Sequence, residues 1–148
     1  MLTDKAKDTR PVNSSELRIG NILKDSNGNE YAISGHGIYT LTVLENTEQS
    51  LNDYMPVCLT KEHLVRFGFS IYEWMDGCFI PMNGKHLMIQ FYNDETFVFL
   101  TKVTNDNHGQ KMTGGRNYFL GKHKKLRFVH QLQNLYYTNS GKELTLKS

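Results

Sequence analysis

Three turn dipeptides, Asn27-Gly28, Asp76-Gly77 and Asn83-Gly84, limit what this 148-residue chain can become. Asn or Asp followed by Gly tolerates the positive φ that a tight hairpin needs, so each pair predicts a reversal between antiparallel strands. The segments between them are short. Asn21–Lys24 and Glu30–Ser34 flank the first turn, and Gly35-His36-Gly37 leads to Ile38–Leu44, IYTLTVL, an alternating run rich in β-branched residues that reads as a third strand. Such a three-stranded meander could close like an SH3-type barrel. Further along, Phe69–Met75, Cys78–Pro81, His86–Tyr92 and Thr96–Val103 read as successive strands. Thr104–Gly115 is polar with three glycines and reads as a mobile loop, with Asn117–Leu120 and Lys125–Phe128 as possible strands beyond it.

Two helices are expected. Thr60 is a good N-cap for Lys61–Phe67, which Gly68 ends. The clearer one is Val129–Asn139, within Leu126–Leu146. Phe128, Val129, Leu132, Leu135 and Tyr136 fall within an arc of about 120°, as an amphipathic helix requires. His130, Gln133, Asn134 and Tyr137 fall at i, i+3, i+4 and i+7 and form a second, polar stripe. That stripe reads as a solvent-facing side and is the candidate partner face. Gly141 suits the C-terminal cap, and Glu143–Leu146 alternates like a short closing strand.

These elements predict an α+β fold: a mostly antiparallel meander sheet, or partly open barrel, packed against one C-terminal helix, plus one short helix. Residues 1–14, polar and carrying Arg10-Pro11, read as a flexible tail, and residues 15–148 as a single domain. Phe67, Phe69, Trp74, Ile89, Phe91, Phe97, Phe99, Leu132 and Leu135 are the expected core.

Composition excludes some classes. No apolar run approaches the roughly 20 residues of a membrane helix, and the N-terminus lacks the apolar core of a signal peptide, so a cytoplasmic protein without membrane partners is expected. Cys58 and Cys78 then read as reduced thiols in apolar surroundings. Charge is uneven. Residues 1–106 hold nine Lys/Arg against fourteen Asp/Glu, whereas residues 107–148 hold eight against one. An anionic partner is one implication of that asymmetry.

No chemistry-bearing constellation is legible. The nearest metal-ligand spacings are Cys58-x4-His63 and Cys78-x7-His86, without CxxC, HxxxH or HExxH. There is no GxSxG elbow, and Asp94-Glu95 read as solvated turn residues. Thr113-Gly114-Gly115-Arg116 is glycine-rich but lacks the Lys-Ser/Thr of a phosphate loop. Catalytic, cofactor-binding and metal-ligating residues are therefore left unassigned, and a small enzyme ranks last among the readings. The basic stretch is more suggestive. Lys111, Arg116, Lys122, Lys124, Lys125 and Arg127 are interleaved with Tyr118, Phe119 and Phe128, a composition suited to phosphate neutralisation and base stacking.

Glu16–Asn21 (ELRIGN), Leu59–Phe69 (LTKEHLVRFGF) and Phe128–Leu144 (FVHQLQNLYYTNSGKEL) carry a resemblance. Together they resemble a family of uncharacterised conserved proteins of gut Bacteroidota, often found near prophage or mobile elements, with a slight departure at Ser140-Gly141-Lys142-Glu143-Leu144. The family has no assigned activity, so the resemblance implies a compact domain and a mobile-element setting but no catalytic residue. The resulting expectation is a non-enzymatic binding module with a protein partner. The alternative is a nucleic-acid-binding protein using residues 111–127.

Overall fold

The computed structural model describes residues 10–93, 95–118 and 126–147, with residues 116–118 described by backbone alone. The fold is α+β, with two antiparallel sheets and a C-terminal helix. The chain divides into two compact units, Met1–Cys58 with Phe128–Leu144 and Leu59–Arg127 with Thr145–Ser148.

In the first unit, β1 (Ile22–Lys24) is the central strand of a three-stranded sheet, between β2 (Glu30–Ala32) and β3 (Met55–Pro56). The Asn27-Gly28 turn forms as its residues predict. Asp25 Oδ1 accepts from the backbone N–H of Asn27 and of Asn29, both at 2.9 Å, which fixes the reversal. Preceding the sheet is a 3-10 turn, Ser14–Glu16.

Gly35–Leu44 is a helix, α1, and not the third strand that IYTLTVL suggests. Ser34 starts it, its Oγ accepting from Gly37 N–H at 3.0 Å. Thr40 and Thr42, the strand-like residues, donate their hydroxyls to His36 and Ile38 carbonyls one turn back, at 3.0 and 2.9 Å. Leu41 is buried with Val12, Leu23 and Ile33, and Ile38 packs at its side at helical spacing. The small meander and its SH3-like closure are therefore absent.

The C-terminal helix, α2b in no sense but simply the last of the chain, spans Val129–Ser140. Phe128 N–H donates to Gln131 Oε1 at 3.1 Å at its start. Gly141, at φ 72°, ends it by donating to Tyr137 O at 2.8 Å. Beyond it no closing strand forms over Glu143–Leu146, although Leu144 is buried.

The second unit is a sequential antiparallel meander of β4 (Ser70–Tyr72), β5 (Gly77–Met82), β6 (Lys85–Tyr92), β7 (Glu95–Asp106) and β8 (Gly109–Tyr118). A short helix, α2 (Lys61–Arg66), packs against β5. Thr60 caps it as expected, with Thr60 Oγ1 accepting from His63 N–H while Thr60 N–H donates to His63 Nδ1. Cross-strand neighbours Phe79, Met88 and Phe99 form one inner row, joined by Tyr72 and Val103. On the opposite face Cys78, Ile89 and Val98 form a second buried row, so both faces of the central strands are covered.

Three expectations fail in this unit. Thr104–Gly115 is not a mobile loop: β7 and β8 pair through it, reversing at Asn107-His108, and Val103 and Met112 face each other and pack in the core. The glycine pair Gly114-Gly115 is a β-bulge. Leu100 faces Asn117 but Lys102 faces Thr113, so β8 holds two extra residues, both at positive φ that only glycine adopts cheaply. Trp74 is exposed rather than core, since it lies in the β4–β5 turn and donates Nε1–H to Gln110 O. Phe91, Phe97 and Leu135 are half-buried, while Phe67, Phe69, Ile89, Phe99 and Leu132 are buried as expected. Both cysteines are free thiols, and burial pushes the Cys78 thiol pKa up.

Candidate functional site

The polar stripe of the C-terminal helix is mostly an internal clamp. His130 and Gln133 are each 2% exposed, so the expectation of a solvent-facing stripe fails for them. The cause lies in the segment they face. Gly20–Ile22 presents backbone groups that an apolar helix would leave unpaired. Gln133 Oε1 accepts from Ile22 N–H at 2.8 Å and from Asn21 Nδ2 at 3.5 Å. Its Nε2 donates to Gly20 O at 3.0 Å and to Leu144 O at 3.2 Å. Asn134 accepts from Asn21 Nδ2 at 3.0 Å and donates to Glu16 O at 2.9 Å, and Asn21 Oδ1 takes Arg18 N–H at 2.7 Å. Two of the three resemblance segments thus hold each other.

His130 stacks on Phe128 with ring centroids 5.9 Å apart, and its Nε2 lies 3.2 Å from Glu16 Oε1. A carboxylate only accepts, so Nε2 carries the proton, and buried Nδ1 keeps a lone pair without a partner. Burial pushes the His130 pKa down, against the pull of Glu16.

Tyr137 is the stripe residue that reaches the surface, 39% exposed. The Arg18 guanidinium lies 3.5 Å above its ring and pairs with the Glu143 carboxylate, which raises the Arg18 pKa. Next in sequence, Ile19 is 65% exposed. It leans on the start of α1: a Cβ placed on Gly35 would lie 3.3 Å from Ile19 Cδ1. One and two turns along the same helix, Tyr39 and Val43 are 63% and 49% exposed. The large exposed apolar residues described in this unit therefore line up as Tyr137, Ile19, Tyr39 and Val43, with Arg18 between the first two.

The composition of α1 makes this strip unusual. Gly35–Leu44 contains no Asp, Glu, Lys or Arg, yet of its residues only Leu41 is buried. A surface helix ordinarily turns charged or polar residues to water, and one apolar on all sides is normally covered. Tyr, Arg and Ile also match the residue types that concentrate at protein interfaces. Reading the sequence missed Ile19, Tyr39 and Val43. The available signal was the absence of charge together with His36, Tyr39 and Val43 at i, i+3 and i+7, which the strand-like threonines obscured.

The basic segment is only partly described. Lys111 is exposed on β8 opposite Thr104, on the sheet face that also carries exposed Lys102. Arg127 is half-buried. The Arg116 side chain, Lys122, Lys124 and Lys125 lie outside the described residues, as do Phe119 and the expected strand end at Leu120. The Thr113–Arg116 stretch forms the bulge rather than a loop leading to a helix, so it offers no helix N-terminus to a phosphate. Among the described residues no three His, Cys, Asp or Glu side chains converge as metal ligands, and no helix is long and apolar enough to cross a membrane. The chain matches no family model, no curated protein and no solved structure.

Proposed function

We propose that this protein is a non-enzymatic interaction module that docks a protein partner on the strip formed by Ile19, Tyr39, Val43 and Tyr137. The observation carrying the reading is the charge-free α1 helix with Tyr39 and Val43 turned outward. The clamp beneath it supports the same reading. Gln133, Asn134 and Asn21 hold Arg18 and Ile19 by backbone hydrogen bonds, so the strip is pre-organised and binding immobilises little. The resemblance of the ELRIGN and VHQLQNLY segments supports a phage or mobile-element setting.

The test is a triple substitution, Ile19→Ser, Tyr39→Ser and Val43→Ser, compared with the native chain as immobilised bait in host-cell extract. Removing exposed apolar groups should leave the melting temperature close to native. The expected result is one or more proteins retained by the native chain and lost with the variant. Identical retention by both forms would end the reading.

A further inference from the structure

The docking strip also indicates its occupant. We infer that it receives a second copy of this chain, the two Gly35–Leu44 helices packing antiparallel about a two-fold axis. The inference rests on the docking reading above and adds the identity of the partner.

The argument is the charge at the two ends of α1. The exposed face is neutral along its length. At its N-terminal end stand His36, the Arg18 guanidinium beside Ile19, and the unpaired N–H groups of the first turn, where the helix dipole is positive. Past its C-terminal end come Glu45 and exposed Glu48, at the negative pole. Glu45 is held by Ser14, whose N–H and hydroxyl both donate to its carboxylate, at 2.8 and 2.6 Å. Arg18 is neutralised in part by Glu143. What remains is a strip positive at one end, negative at the other and apolar between.

Such a strip complements itself under a two-fold axis, because antiparallel pairing sets each end against the opposite end of its copy. With the axis beside Leu41, Tyr39 meets the copy's Val43, and the first turn with His36 meets the segment bearing Glu45 and Glu48. A parallel pairing would instead set like ends together. The absence of charge in the middle matters equally: an isologous contact brings residues near the axis against their own equivalents, where any charge would face itself.

Sedimentation velocity and light scattering on the full chain over a wide concentration range give the test. The expected result is a concentration-dependent species of twice the 17.1 kDa chain mass. Tyr39→Glu should raise its dissociation constant at least about tenfold, as truncating a central aromatic anchor does. The charge series is independent of whether that variant folds. His36→Glu and Glu48→Lys should each weaken the dimer, and the double variant should recover it. A single species of chain mass at every concentration overturns the inference, and so does a dimer indifferent to Tyr39→Glu and to the charge series. A monomer that still loses a captured protein on serine substitution would refute self-pairing and leave the docking reading standing. Serine variants that change neither mass nor capture would refute both.

Discussion

A glutamine amide offers two acceptor sites and two N–H donors, and Gln133 places all four on partners within its unit, three of them backbone groups. Gln133→Ala would strip the pairing from Ile22 N–H, Gly20 O and Leu144 O. The expected loss is roughly 3 kcal/mol, since each buried orphan costs about 1–3 kcal/mol and some rearrange. Gln133→Glu should do at least as much harm at neutral pH, because a carboxylate keeps the Ile22 bond but sets its charge against two carbonyl oxygens. Urea unfolding would measure both, and a native-like midpoint for Gln133→Glu would contradict the clamp. His130 gives a pH signature. Its folded pKa lies below the ordinary 6.5 because burial disfavours the cation. The unfolded chain therefore takes up the proton first, and stability falls as pH drops from about 6.5 until the folded imidazole also protonates. His86, lowered by burial and by Lys102, contributes in the same direction. Comparing unfolding at about pH 7.5 and about pH 5.5, His130→Leu should show a shallower loss than native protein, the remainder staying with His86. Equal slopes would reject this assignment. These residues also show why helix periodicity misread the stripe. Periodicity sorts side chains by polarity, but polar residues are drawn inside wherever the facing element presents bare backbone, and only the three-dimensional position of Gly20–Ile22 reveals that.

Among the elements, hairpins were the most legible and α1 the least. Asn27-Gly28 and Asn83-Gly84 announce their reversals because the turn chemistry is local, and Asn83 and Gly84 do take positive φ. In IYTLTVL the local preference points to strand, and the outcome is decided by the Ser34 cap, threonine back-bonding and the burial of Leu41 beside Leu23. Ser34→Ala should therefore cost about 1 kcal/mol and speed amide exchange in the first turn of α1. Unchanged exchange there would show that packing alone holds the helix. The five-stranded sheet has a feature no periodicity encodes. Its edge strands β4 and β8 are joined by Gln110, whose Nε2 donates to Ile71 O at 3.0 Å and whose Oε1 accepts from Glu73 N–H at 2.8 Å. Glu73 Oε1 in turn accepts from Gln110 N–H at 2.8 Å. Gly109 makes room for this exchange: at φ 102° a Cβ there would lie 2.3 Å from Glu73 Oε1. Gly109→Ala should destabilise the sheet by about 1–3 kcal/mol and expose the Glu73 and Gln110 amides to exchange. Alanine at neighbouring exposed His108 is the neutral control, and equal behaviour of the two variants would contradict the closure.

At the scale of the whole molecule, chain order explains which half could be read. The second unit is built from strands that follow one another, so its contacts are local and its turns visible. The first unit joins Met1–Cys58 to Phe128–Leu144, and its Asn21–Asn134 bond spans 113 residues. No local pattern predicts such a pairing, and for the same reason the strip on Ile19, Tyr39 and Val43 was illegible. The C-terminal tail tests this division. Leu144 belongs to the first unit, where it is buried and its carbonyl accepts from Gln133, whereas Lys147 belongs to the second and donates its N–H to Arg66 O at 2.8 Å. Ending the chain at Leu144 should leave the first unit intact and remove one backbone bond from the second, a cost of about 1 kcal/mol seen in exchange near Arg66. Ending it at Gly141 should add the loss of a fully buried leucine, about 2–3 kcal/mol, and orphan one Gln133 donor. Its effect should therefore spread to the amides of Gly20–Ile22 and the C-terminal helix. If both truncations perturb the same amides to the same extent, Leu144 does not close the first unit and the clamp ends at Gly20.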